Sequence, residues 1–105
     1  MKKLILLILI NFLALSPLLS QNETVNWYFG DRAGIRFSIP GYVPTAATDG
    51  QLSTLEGCAA ISDQEGNLLF YTDGVTVWNK EHEVMPNGTG LTGHESTTQS
   101  ALIVP

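Results

Sequence analysis

Residues 55–86, LEGCAAISDQEGNLLFYTDGVTVWNKEHEVMP, constrain this chain more than any other stretch. Four short strand-like runs, at 58–62, 67–72, 75–79 and 83–85, are separated by turn chemistry rather than by helical spacing. Asp63-Gln64-Glu65-Gly66 ends in the residue type that takes positive φ without steric cost. Asp73-Gly74 predicts a two-residue hairpin turn, and 79–82 a polar turn in which His82 tolerates positive φ. Pro86 stops the fourth run, because proline brings no N–H to a ladder. Four antiparallel strands in so few residues make one sheet, too small to be a domain alone.

The strands are apolar on both sides. Strict alternation puts Leu68 and Phe70 on one face and Leu69 and Tyr71 on the other, with Val75 and Val77 opposite Trp78. A sheet of that kind needs covering on both faces. A β-propeller blade meets the demand, with small residues (Cys58 to Ser62) near the crowded axis and larger ones further out. The expected class is therefore all-β, built of antiparallel four-stranded blades and forming part of a larger ring. A small β-sandwich is the alternative, although its strands more often alternate apolar with polar.

The flanks fit this reading. Trp27-Tyr28-Phe29 and Ile35-Arg36-Phe37 bracket Asp31-Arg32-Ala33-Gly34, predicting a hairpin closed by a type I turn with Gly34 left-handed. Residues 40–54, rich in Pro, Gly and small polar residues, predict a loop. So does 87–98, with a further strand at 99–104. The expected organisation is a leader at 1–20, a hairpin and loop at 21–54, a complete blade at 55–86, and at 87–105 a loop leading into the first strand of the next blade.

The leader is read from Lys2 and Lys3, an apolar run over 4–15, a Ser16-Pro17 stop and Ser20 before a cut at Gln21. That run is short of the roughly 20 residues a membrane-spanning helix needs, so the expectation is an exported chain with no transmembrane helix after cleavage. Beyond the two leader lysines, Arg32, Arg36 and Lys80 face ten acids, a net charge of −7. With no basic patch to neutralise phosphates, a nucleic-acid partner is excluded. Cys58 is the single cysteine; among Gly57, Ala59 and Ala60 it reads as a small core thiol.

Taken together, WYFG near the start, LEGCA, LLFYTDG, VWN and TQS resemble the N-terminal region of large secreted proteins from gliding Gram-negative bacteria. The resemblance covers residues 26–105. It implies a leader, a propeller-like region, further repeats and a C-terminal type B sorting domain for type IX secretion, with a surface or extracellular location. It supplies no catalytic residues. Since no sorting domain or further blade is present in these 105 residues, the chain is expected to be a fragment of a longer protein.

Other constellations read as connections. Gly88-Thr89-Gly90-Leu91-Thr92-Gly93 matches a dinucleotide fingerprint in letters, but neither the preceding strand nor the following helix is there. Asp63, Glu65 and Asn67 imitate the start of a calcium loop, whose sixth and twelfth places here hold Leu68 and Gly74. His82 and His94 lack a third metal ligand at suitable spacing. No cofactor or metal site is expected, and no nucleophile stands beside an arranged base.

In a four-stranded up-and-down blade, the loop entering the first strand, the turn after the second and the loop leaving the fourth share one end. That gathers Glu56, Asp73, His94, Glu95, Ser96 and Thr97 into a tentative ligand-facing rim, as loops on a rigid scaffold commonly carry function. The sequence thus predicts a non-catalytic exported module engaging a surface glycan or protein, together with further blades of its own longer chain. The rival expectation is the propeller portion of a secreted hydrolase or lyase.

Overall fold

The computed structural model describes residues 1–14 and 22–105. The segment expected to be a leader begins with helix α1, Lys2–Ala14; the expected stop and cleavage positions lie outside the described residues. No helix is long and apolar enough to cross a membrane among the described residues.

The rest is mostly β. After a 3₁₀ turn at Asn22–Thr24, strands β1 (Asn26–Tyr28), β2 (Gly34–Ser38) and β3 (Val43–Ala46) form one antiparallel sheet in the order β1-β2-β3. Strands β4 (Ala59–Ser62), β5 (Leu68–Thr72) and β6 (Val77–Asn79) form a second, in the order β4-β5-β6. The predicted hairpin at Trp27 is present, with Trp27 opposite Ile35. Its turn differs from the expectation. Asp31 and Arg32, at φ 54° and 59°, are the left-handed residues, and the Ala33 amide donates to the Gly30 carbonyl. Positive φ at both central residues is the primed geometry that matches strand twist, and Gly34 is left free to begin β2.

Strand β3 is a second correction, since Val43–Ala46 lies in the stretch expected to be loop. It pairs on one side only, Phe37 opposite Pro44. An edge strand tolerates proline because its other side needs no ladder donor.

The second sheet has three strands, and a single bridge between Trp78 and Val84 stands where a fourth was expected. Gly66 and Gly74 take the positive φ their turns require, 87° and 85°. The turn at Asp73 is nonetheless four residues, because Thr72 pairs with Val77. Asp73 Oδ1 accepts from the amides of Val75 and Thr76, which holds the longer loop and shortens the third strand. The alternation read for β5 is also broken. A bulge between Ile61 and Ser62 sets Ser62 against Leu68, passing over Leu69. The extra residue lets Leu68 and Tyr71 both reach the core, while Leu69 is 45% exposed.

Residues 99–104, expected as a strand, run without strand pairing. Ser100 instead lies against Gly57 and Gly74, so the segment docks on loops. The sheets meet where β1 lies beside β4. There Tyr28, Ala47, Leu52, Leu68 and Tyr71 form one core, with Cys58, Ala60 and Trp78 packed against it.

Candidate functional site

Of the rim residues inferred from the sequence, Glu56 and Glu95 are joined through the backbone. The Glu95 carbonyl accepts from the amides of Leu55 and Glu56, both at 3.2 Å, and from Thr54 Oγ1 at 3.0 Å. The Gly93 amide donates to Gly74, next to Asp73, and Thr98 Oγ1 to Glu56 Oε2 at 3.5 Å. The chemistry there is inward-looking. Asp73 caps its own turn, and His94 Nδ1 accepts from the Ser96 amide. The Thr97 amide donates to the His94 carbonyl. The acidic turn at Asp63 behaves likewise, its carboxylate accepting from Glu65 and Asn67 and thereby held below the usual range. Among the described residues, no group of three or more His, Cys, Asp or Glu could hold a metal ion.

A denser constellation, which no local motif announces, joins the two sheets. Tyr28 on β1 stacks on Tyr71 of β5 at 4.8 Å, and Tyr71 stacks on Trp78 of β6 at 5.5 Å. Asp49, in the loop after β3, accepts from the Tyr28 hydroxyl at 2.9 Å and pairs with His82 Nε2 at 3.1 Å. His82 Nδ1 meets the Tyr71 hydroxyl at 3.0 Å, and that hydroxyl accepts from the Gln51 amide. Arg36 of β2 donates through Nε to Asn26 Oδ1 and through Nη2 to the Tyr28 hydroxyl, with Asp49 at 3.6 Å.

Local structure delivers each group. Asn79 Oδ1 accepts from the amides of Glu81 and Glu83, folding the chain so that His82 sits at φ 64°, as its turn position predicts. One proton arrangement satisfies the network, with Nε2–H donating to Asp49 and the Tyr71 O–H to Nδ1.

The electrostatics follow from burial and pairing. Desolvation, then the Asp49 hydrogen bond and charge, push the Tyr28 hydroxyl up to about 12, against the opposing pull of Arg36. Burial raises Tyr71 as well, with Asp49 adding to it and the Gln51 amide opposing. Desolvation also pushes the Asp49 carboxyl up, but the Tyr28 hydroxyl, its own backbone amide, His82 and Arg36 together hold it below its ordinary value. The tyrosines therefore stay protonated at neutral pH and the aspartate ionised. Tyrosine, histidine and aspartate here form an inter-sheet clasp, in which Tyr71 is 0% exposed. Cys58 donates to the Tyr28 carbonyl, and burial pushes its thiol up, as befits a core residue.

Beside the clasp opens a cleft of about 450 Å³ lined by Asn26, Arg36, Asn67, Leu68, Lys80 and Glu81, with Gly66 at its edge. Its floor is fixed. Asn26 is buried and donates through Nδ2 to Ser62 Oγ and the Gly66 carbonyl, both at 2.9 Å. On the other face of β1 and β2, Trp27 contacts Phe29 and Phe37 edge-on, with Trp27 46% exposed. Sequence reading passed over Asp49, Arg36 and Lys80 because their partners are distant in the chain. Two of the three cations beyond residue 20, Arg36 and Lys80, line this cleft.

No family model, no curated protein and no solved structure matches this chain.

Proposed function

We propose that this chain is an exported, non-catalytic β-module of a cell-surface or secreted protein, and that it binds a glycan through the cleft beside the clasp. The observation that carries this reading is the contrast between cleft and clasp. The cleft is open, falls within the size range of small-molecule sites, and presents amide, ammonium, guanidinium and carboxylate groups around the apolar Leu68. Such mixed donors and acceptors suit hydroxyls, which both donate and accept. The constellation that carries the letters of a catalytic relay is instead bonded within itself, with Tyr28 and Tyr71 buried and Asp49 engaged by Tyr28 and His82. Export rests on the leader, and the gliding-associated, type IX-secreted context on the motifs at 26–105. In this proposal the sheet β4-β5-β6, with its bridge to Val84, is one blade of a propeller.

A glycan array probed with the labelled chain tests the binding reading, with retention of at least one glycan expected and loss of that signal in the Asn26→Leu/Lys80→Gln double variant. A blank array would refute it. Fusion of residues 1–21 to a reporter active only outside the cytoplasm tests export; an inactive reporter would refute that part alone.

A further inference from the structure

We infer that the cleft selects a carboxylate-bearing sugar, a hexuronate unit, over its neutral counterpart; this rests on the glycan-binding reading above. The chain carries ten acids against three cations beyond its leader, so a surface that draws two of those cations into one hollow departs from the rest of the molecule. Neither cation is closely ion-paired. Lys80 Nζ lies 3.9 Å from Glu81, with side chains 66% and 56% exposed. Arg36 Nη2 lies 3.6 Å from Asp49, beyond hydrogen-bond length. Exposed pairs at such distances contribute little, so a ligand carboxylate replaces little of value.

Arg36 is also oriented. Its Nε and Nη2 bonds to Asn26 and Tyr28 fix the guanidinium plane from the buried side, while Nη1 has no partner among the described residues. A planar guanidinium held by its back edge is preorganised for a carboxylate in front. Lys80, which also lines the cleft, adds an exposed ammonium paired loosely with Glu81. Glu81 and Asn67, which also line the cleft, carry a carboxylate and an amide for ring hydroxyls.

The test uses the full chain, titrated by calorimetry with a galacturonate trimer and with the same trimer fully methyl-esterified, which keeps the sugar skeleton and removes its charge. The acid form is expected to bind about tenfold more tightly, the scale of one charge-assisted contact. That advantage should shrink as salt rises, fall in Lys80→Gln, whose exposed side chain lies outside the clasp, and vanish when Arg36→Gln is added to it. Equal affinity for the two trimers would overturn the inference and leave glycan binding standing. An advantage for the acid that survives both Lys80→Gln and the Arg36→Gln/Lys80→Gln double variant would place the carboxylate elsewhere and overturn the assignment to this cleft. Failure of both trimers, with a blank array, would overturn the inference and the reading beneath it together.

Discussion

The inter-sheet clasp and the loop rim are assembled in opposite ways. In the clasp, side chains from residues 26 to 82 are bonded to one another, ring on ring and charge on hydroxyl, across two sheets. At the rim, backbone groups do the joining, with the Glu95 carbonyl taking three donors while several side chains remain exposed. A side-chain clasp is sensitive to what each residue is; a backbone stitch is sensitive chiefly to where the chain runs. The clasp should therefore fail to point substitutions, and the rim should absorb them.

The largest effect is expected at Tyr71, which is fully buried and stacked on both sides. Tyr71→Ala should cost about 3–5 kcal/mol, as for other large aromatic truncations, a large share of what a small domain possesses. Denaturant unfolding followed by tryptophan fluorescence measures this through Trp78. A loss below about 1 kcal/mol would mean that the two sheets do not depend on the clasp.

The pH limits come next. Tyr28 titrates near 12 when folded and near 10 when unfolded, so its stabilisation is complete below pH 10 and is lost as pH rises through about 12. Tyr28→Phe should flatten that alkaline decline without abolishing it, because Tyr71 is raised as well. Asp49 runs the other way. With its folded pKa below the ordinary 3.8, its contribution is present above that value and lost as pH falls through the folded pKa. Asp49→Asn should cost about 1 kcal/mol at neutral pH, the size of a typical net hydrogen bond, and should blunt the acid limb. Midpoints of urea unfolding across pH check both. An unchanged acid limb would separate Asp49 from the clasp.

How much of this was legible depends on the range over which each feature is determined. The β-strands at Leu68 and Trp78 and the positive φ at Gly66, Gly74 and His82 follow from local chemistry and short connections, and all could be read. The bulge at Leu69 could not, because it is fixed by pairing with Ser62 and by room for Tyr71. Pro44 argued for a loop, yet an edge position admits it. Asp49 looked like one more polar loop residue, and His82 like a turn residue alone. Their pairing depends on the first sheet arriving beside the second, a fact carried by no window of sequence.

The smallest effects sharpen the comparison from the rim side. Asp73 resembles a clasp residue in miniature, since its carboxylate accepts from two backbone amides. Asp73→Ala should therefore cost about 1 kcal/mol, as for other lost caps. Glu95→Ala removes only an exposed side chain and leaves the carbonyl that does the joining; its effect should stay within about 0.5 kcal/mol. Thermal unfolding of the two variants side by side reads the difference directly. If Glu95→Ala proved as costly as Asp73→Ala, the Glu95 carboxylate would have a partner of its own, and the rim would be held by side chains as the clasp is. If neither moved, the carboxylates of Asp73 and Glu95 would contribute nothing to the loop end, leaving it to the bonds on the Glu95 carbonyl.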